Sequence, residues 1–236
     1  MNNIYRLIFI VISGLLLYSA VFAQSSFNGA FGQLGIGYEQ SSPSSVSSSA
    51  AFNGYSIPAN STMGNSNYLI GTGSVGYYAD VAKGYLLGVG AEYTLGGSAQ
   101  NYTESGSIRG TTYSSGNYYY QKNYSYNIFL SPAMVVGTNG LAYLKAGYSG
   151  AQYKQFTSLS SNYTGYSLGL GYKQIISGGI YGFGEVNYAN YGNQTVSTSA
   201  RVNTGATGTG AVDTLTASGT NGMSTLNFLV GVGYKF

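Results

Sequence analysis

Residues 223–236 read M-S-T-L-N-F-L-V-G-V-G-Y-K-F. Leu226, Phe228, Val230, Val232, Tyr234 and Phe236 share one parity, while Thr225, Asn227, Gly231, Gly233 and Lys235 take the other; Leu229 breaks the pattern. A strand turns successive side chains to opposite faces, so this segment has one greasy face and one small, polar face. A strand crossing a bilayer at a steep tilt needs about 9–11 residues, and this run supplies them.

The same alternation recurs upstream, which fits the composition. Charged residues are 6%, against about 25% in ordinary soluble domains. Mean hydropathy is nevertheless only +0.01, because in alternating strands each apolar residue is followed by a polar or small one. Tyr 26 and Phe 10 accompany Trp 0, and tyrosine, with an apolar ring and a wet hydroxyl, suits a membrane–water boundary. The formal net charge of +3 is scattered along the chain, so no nucleic-acid footprint is indicated. Cys 0 excludes disulfides and thiolate metal sites.

The first 23 residues read as a secretory signal peptide. Arg6 precedes an apolar run from Leu7 to about Tyr18, then Ser19-Ala20-Val21-Phe22-Ala23 leads to Gln24, with cleavage expected between Ala23 and Gln24. That run is shorter than the roughly 20 residues of a spanning helix, and nothing later approaches one. Any span in residues 24–236 is therefore built from strands.

Eight such strands are predicted, near 27–39, 67–79, 85–95, 122–136, 141–153, 163–176, 180–191 and 223–236. In the clearest of them Tyr85, Leu87, Val89, Ala91, Tyr93 and Leu95 face out. In the second, Leu69, Val75 and Tyr77 compete with Tyr68, Ile70 and Tyr78 for that face. Pro132 is expected near a strand end, where a missing N–H costs least, and Asn139-Gly140 reads as the core of a tight turn. The links alternate: 40–66, 96–121, 154–162 and 192–222 read as long polar loops, and the other three as short turns.

With that count, the alternating links and a terminal strand ending in Tyr234 and Phe236, the chain resembles the small eight-stranded bacterial outer-membrane β-barrels. That group holds the outer-membrane protein A transmembrane domain, outer-membrane protein X and the opacity-type surface proteins. The resemblance implies an all-β, antiparallel up-and-down transmembrane barrel with four long extracellular loops, three short periplasmic turns and both termini periplasmic. It further implies residence in the outer membrane of a Gram-negative-type bacterium, contact with outer-membrane lipid, and insertion by periplasmic chaperones and the barrel-assembly machinery. Tyr234 and Phe236 would be the C-terminal assembly signal. No peptidoglycan-binding domain or other domain is expected beside the barrel.

The few charges are placed informatively. Glu92, Lys145, Lys173 and Glu185 all take the inward parity, which predicts an ionic network in the barrel interior with Lys173–Glu185 as its foremost pair. The many inward glycines, Gly35, Gly88, Gly147, Gly171 and Gly233 among them, would leave room for water. His 0 and Cys 0 remove the usual bases, nucleophile pairs and metal ligands, so no enzyme, cofactor or metal is expected. The G-T-G-S-V-G run at 71–76 matches a dinucleotide fingerprint but sits within a strand rather than opening a helix. Asn-X-Ser/Thr matches such as Asn60 and Asn123 are expected by chance at this composition.

The expected role is envelope structure and surface display, with the loops available for adhesion or for an external surface ligand. The alternative is a small porin-like channel for ions or solutes, and a remoter one a secreted Gly/Tyr-rich fibre protein.

Overall fold

The computed structural model describes residues 25–52, 55–57, 59–108, 111–114, 118–155, 159–203 and 212–236. The expected leader, including Ala23 and Gln24, lies outside the described residues. Twelve strands follow in order: β1 (Gly29–Phe52), β2 (Tyr55–Ile57), β3 (Ala59–Met63), β4 (Ser66–Ala82), β5 (Tyr85–Leu95), β6 (Gln100–Ile108), β7 (Thr111–Ser114), β8 (Tyr118–Val136), β9 (Gly140–Gln155), β10 (Leu159–Ser177), β11 (Ile180–Asn203) and β12 (Val212–Lys235). Eight of them, β1, β4, β5, β8, β9, β10, β11 and β12, pair each with the next, all antiparallel, and β12 closes on β1. The result is an eight-stranded antiparallel up-and-down barrel.

Its stagger can be followed residue by residue. From Gln33 on β1 the directly opposed partners run Ser74, Glu92, Asn127, Ser149, Gly165, Tyr191 and Met223, and return to β1 at Pro43, ten residues further along. With a rise of about 3.3 Å per residue and about 4.8 Å between strands, that shear tilts eight strands by roughly 40°. A barrel of this size has an interior that side chains can fill.

The outside is a belt of apolar side chains: Leu34, Ile36, Leu69, Val89, Ile128, Leu144, Leu168, Leu170, Phe228, Val230 and Val232 are all exposed. Tyrosines rim it. Tyr93 and Tyr126 oppose one another, as do Tyr148 and Tyr166, and Tyr85 and Tyr234 lie toward the other end. An apolar surface this continuous is at home only in lipid. In β4 the facing is settled: Leu69, Val75 and Tyr77 point out, while Tyr68, Ile70 and Tyr78 are buried inside. Leu229, the residue out of step in the terminal strand, is 2% exposed and joins the interior cluster.

Two expectations are corrected. The long links are largely β-structure: β1, β11 and β12 each run 24 residues, about twice what a bilayer requires. Their ladders continue to Phe52–Leu215 and Asn203–Val212. Ser- and Thr-rich composition reads as loop by correlation only; once the barrel sets a register, the neighbouring strand goes on supplying backbone partners, and threonine suits a pleated surface.

Proline placement is as expected. Pro132 sits inside β8, four residues before its end, where the β8–β9 ladder passes from Leu130–Ala146 to Ala133–Tyr143. The N–H that proline lacks is replaced by the Ser131 hydroxyl, which donates to the Leu144 carbonyl at 2.8 Å. Finally, the turn between β8 and β9 carries its positive φ at Gly137 (66°), and Gly140 is already the first residue of β9.

Candidate functional site

The interior is the site, and it is built from alternate residues of the wall strands. Glu92 (β5), Lys145 (β9), Lys173 (β10) and Glu185 (β11) are all buried there, as are Glu39 (β1) and Lys122 (β8). Among the described residues, three buried carboxylates thus share the lumen with three ammonium groups.

Lys145 is the hub. Its Nζ donates to Glu92 Oε2 at 3.0 Å and to Glu185 Oε1 at 2.7 Å, joining strands that stand on opposite sides of the ring. Glu185 also accepts from Tyr143 Oη at 2.7 Å and from Asn187 Nδ2 at 2.6 Å. Asn187 Nδ2 reaches Asn227 Oδ1 at 3.1 Å, and Asn227 Nδ2 donates to Glu39 Oε2 at 3.3 Å. Glu39 is ion-paired with Lys122 and accepts from Tyr68 Oη at 2.6 Å. One connected polar network thus ties seven of the eight wall strands across the bore. Burying ionised groups this deep is costly unless they are paired and hydrogen-bonded.

Lys173 is not part of it, which corrects the expected Lys173–Glu185 pair. The register sets Lys173 opposite Phe183 and Glu185 opposite Gly171. Gly171 is in turn opposite Tyr143, and a Cβ at Gly171 would collide with the Tyr143 ring. The absent side chain lets Tyr143 cross to Glu185 and occupy the place read for Lys173. Lys173 instead points its Nζ among four rings: Phe31 at 3.8 Å from the centroid, Tyr181 at 5.0 Å, Tyr78 at 5.1 Å and Tyr143 at 5.2 Å.

Aromatic clusters lie on both sides of the network. Toward the long hairpins, Tyr153 stands within 5.4 Å of Tyr163 and 6.5 Å of Tyr120 and Tyr191, ring centre to ring centre, and its hydroxyl meets Ser41 Oγ at 3.0 Å. Toward the short turns, Phe27 packs on Tyr181 and Phe31 on Tyr78. There Asn28 Nδ2 donates to Asp80 Oδ2 at 2.7 Å, and Ser26 Oγ to the Thr138 carbonyl at 3.2 Å, so the segment before β1 folds across the mouth. The inward glycines do not leave space for water, as the sequence suggested. A Cβ at Gly35 would press on Phe183, at Gly88 on Tyr78, at Gly90 on Phe129, at Gly147 on Asn127 and at Gly233 on Tyr181. Each glycine is the seat of a neighbour's side chain.

Sequence reasoning placed Glu39 inward without giving it a partner and missed Lys122. Counted by parity from Ser125 and Asn127, Lys122 falls on the lipid side. The β8–β9 register shifts between Lys122 and Tyr124, and this one-residue bulge returns Lys122 to the interior. Among the described residues no group of acidic side chains could hold a metal ion. Tyr234 and Phe236 contact each other edge to face at 5.1 Å on the outer surface.

No family model matches the sequence, and no curated protein matches it. Among solved structures, the chain is similar to the outer membrane protein OprG from Pseudomonas aeruginosa, at 16% identity and a TM-score of 0.48, covering 90% of this chain and 99% of that one. It is similar to Neisserial surface protein A at 16% identity and a TM-score of 0.46, covering 89% and 98%. A third likeness is to Ail, the attachment invasion locus protein of Yersinia pestis, at 13% identity and a TM-score of 0.42, covering 88% and 99%.

Proposed function

We propose that the protein is an integral outer-membrane barrel whose interior is a scaffold and whose activity is surface display through the hairpins that β1, β11 and β12 carry beyond the membrane. The observation that carries this is the filled bore: an ionic and hydrogen-bonded network tying seven wall strands, flanked by buried aromatic clusters. A porin-like channel requires a water-filled path, and the seating of side chains against the inward glycines favours the scaffold over it. The projecting strands offer Ser and Thr side chains such as Ser47, Ser49, Thr195 and Ser197 on an exposed face, suited to adaptable polar contact with an external ligand.

On this reading a leader is cleaved between Ala23 and Gln24, both termini stay periplasmic, and Tyr234 with Phe236 forms the signal read by the assembly machinery. With neither histidine nor cysteine, no catalytic role is assigned. Planar-bilayer recording of the purified protein tests the proposal. A silent membrane is expected, whereas steady channels that change with Lys145→Ala or Glu92→Gln would replace the scaffold reading with transport.

A further inference from the structure

Lys122 and Lys145 are held by carboxylates, but Lys173, equally buried, makes no ion pair among the described residues. What surrounds its ammonium instead is built with some care. The rings of Phe31, Tyr78, Tyr143 and Tyr181 come from β1, β4, β9 and β11, and all four are buried. Each is seated over an inward glycine of an adjacent strand, Gly76, Gly88, Gly171 and Gly233 respectively, where a Cβ would collide with it.

Each tyrosine hydroxyl is tied to a different group outside the cage. Tyr78 meets Ser131 Oγ at 2.8 Å, Tyr143 donates to Glu185 at 2.7 Å, and Tyr181 donates to Gln33 Oε1 at 3.0 Å. Phe31 stacks on Tyr78 at 5.3 Å. The rings are therefore oriented by bonds that do not involve Lys173, with its Nζ within cation–π range of all four. A ring face attracts cations through its quadrupole and offers nothing to an anion.

We propose that Phe31, Tyr78, Tyr143 and Tyr181 form a binding site for a primary alkylammonium ion in the half of the lumen nearest the short turns. Lys173 occupies it as a ligand tethered to β10. The cage is a receptor in its own right, and the lysine is the stopper that keeps it full.

Two substitutions separate cage from tether. Lys173→Ala vacates the site, and Lys173→Met keeps its volume while removing the charge. The unfolding midpoint of the full chain in detergent is read in methylammonium chloride and in sodium chloride at equal ionic strength. For Lys173→Ala the expected result is a lowered midpoint that methylammonium shifts upward and sodium does not. Wild type and Lys173→Met should show no difference between the salts, with Lys173→Met below wild type. Equal responses of Lys173→Ala to both salts would overturn the proposal. So would a Lys173→Met midpoint equal to wild type, which also decides the matter if Lys173→Ala does not fold.

Discussion

Lys145 bridges two carboxylates whose strands stand on opposite sides of the barrel, and among the described residues no other cation pairs with either of them. Removing one partner of a buried pair leaves an uncompensated charge, at a cost of about 3–5 kcal/mol. Lys145→Ala should therefore lower the unfolding free energy by about that amount in urea titrations of the refolded protein, and Glu92→Gln combined with it should recover part of the loss. Gly171 makes a second point at this scale. Its substitution by alanine drives a methyl group into the Tyr143 ring, and overpacking of this kind costs about 1–3 kcal/mol. The same titration checks it, with Gly184→Ala, where a Cβ meets nothing within 4 Å, as the control expected to stay near wild type. Lys173 and Glu185 were legible as inward residues because parity shows which face a side chain takes. Which inward neighbour it touches depends on side chains being absent between them, and that is a property of three strands at once.

Among the elements, β8 shows how much one extra residue decides. Its register shift between Lys122 and Tyr124 turns Lys122 from lipid to lumen, where it neutralises Glu39. Deleting Asn123 should remove the bulge and join Lys122 directly to Tyr124, so that regular alternation keeps Lys122 inward opposite Tyr153 and its pair with Glu39 survives. The expected outcome is stability close to wild type where Lys122→Met, which strands Glu39, is clearly destabilised, read by the same unfolding titration; a deletion variant that loses as much as Lys122→Met would show that the residue count in β8 does not set the facing. Bulges escape a period-two reading because they are set by the two strands together, with the partner β9 continuing regularly through Gln152 and Tyr153 while β8 inserts a residue. The hairpin ends escape for a related reason. The Thr195–Thr220 and Ser197–Ser218 hydroxyl contacts, at 2.7 and 3.1 Å, link β11 and β12 beyond the apolar belt, and neither segment has a hydrophobic pattern to mark it as strand.

For the molecule as a whole, closure is the feature with the largest experimental signature. Every wall strand has two hydrogen-bonded neighbours, so no edge is left to open, and the cross-bore network braces the ring from within. The unboiled protein should consequently remain folded in dodecyl sulfate and migrate differently from the boiled sample, and Lys145→Ala should lower the temperature at which the mobility changes. What the sequence determined by itself was the outer surface: eight alternating segments, their order, the short turns and the lipid-facing residues. A bilayer is a uniform solvent, and each outward side chain answers to it independently of the others. The interior was decided by tertiary structure. A shear of ten, a bulge in β8 and glycines placed under aromatic rings determine which buried groups meet, and pairing across a closed ring depends on several strands together rather than on any stretch of chain alone.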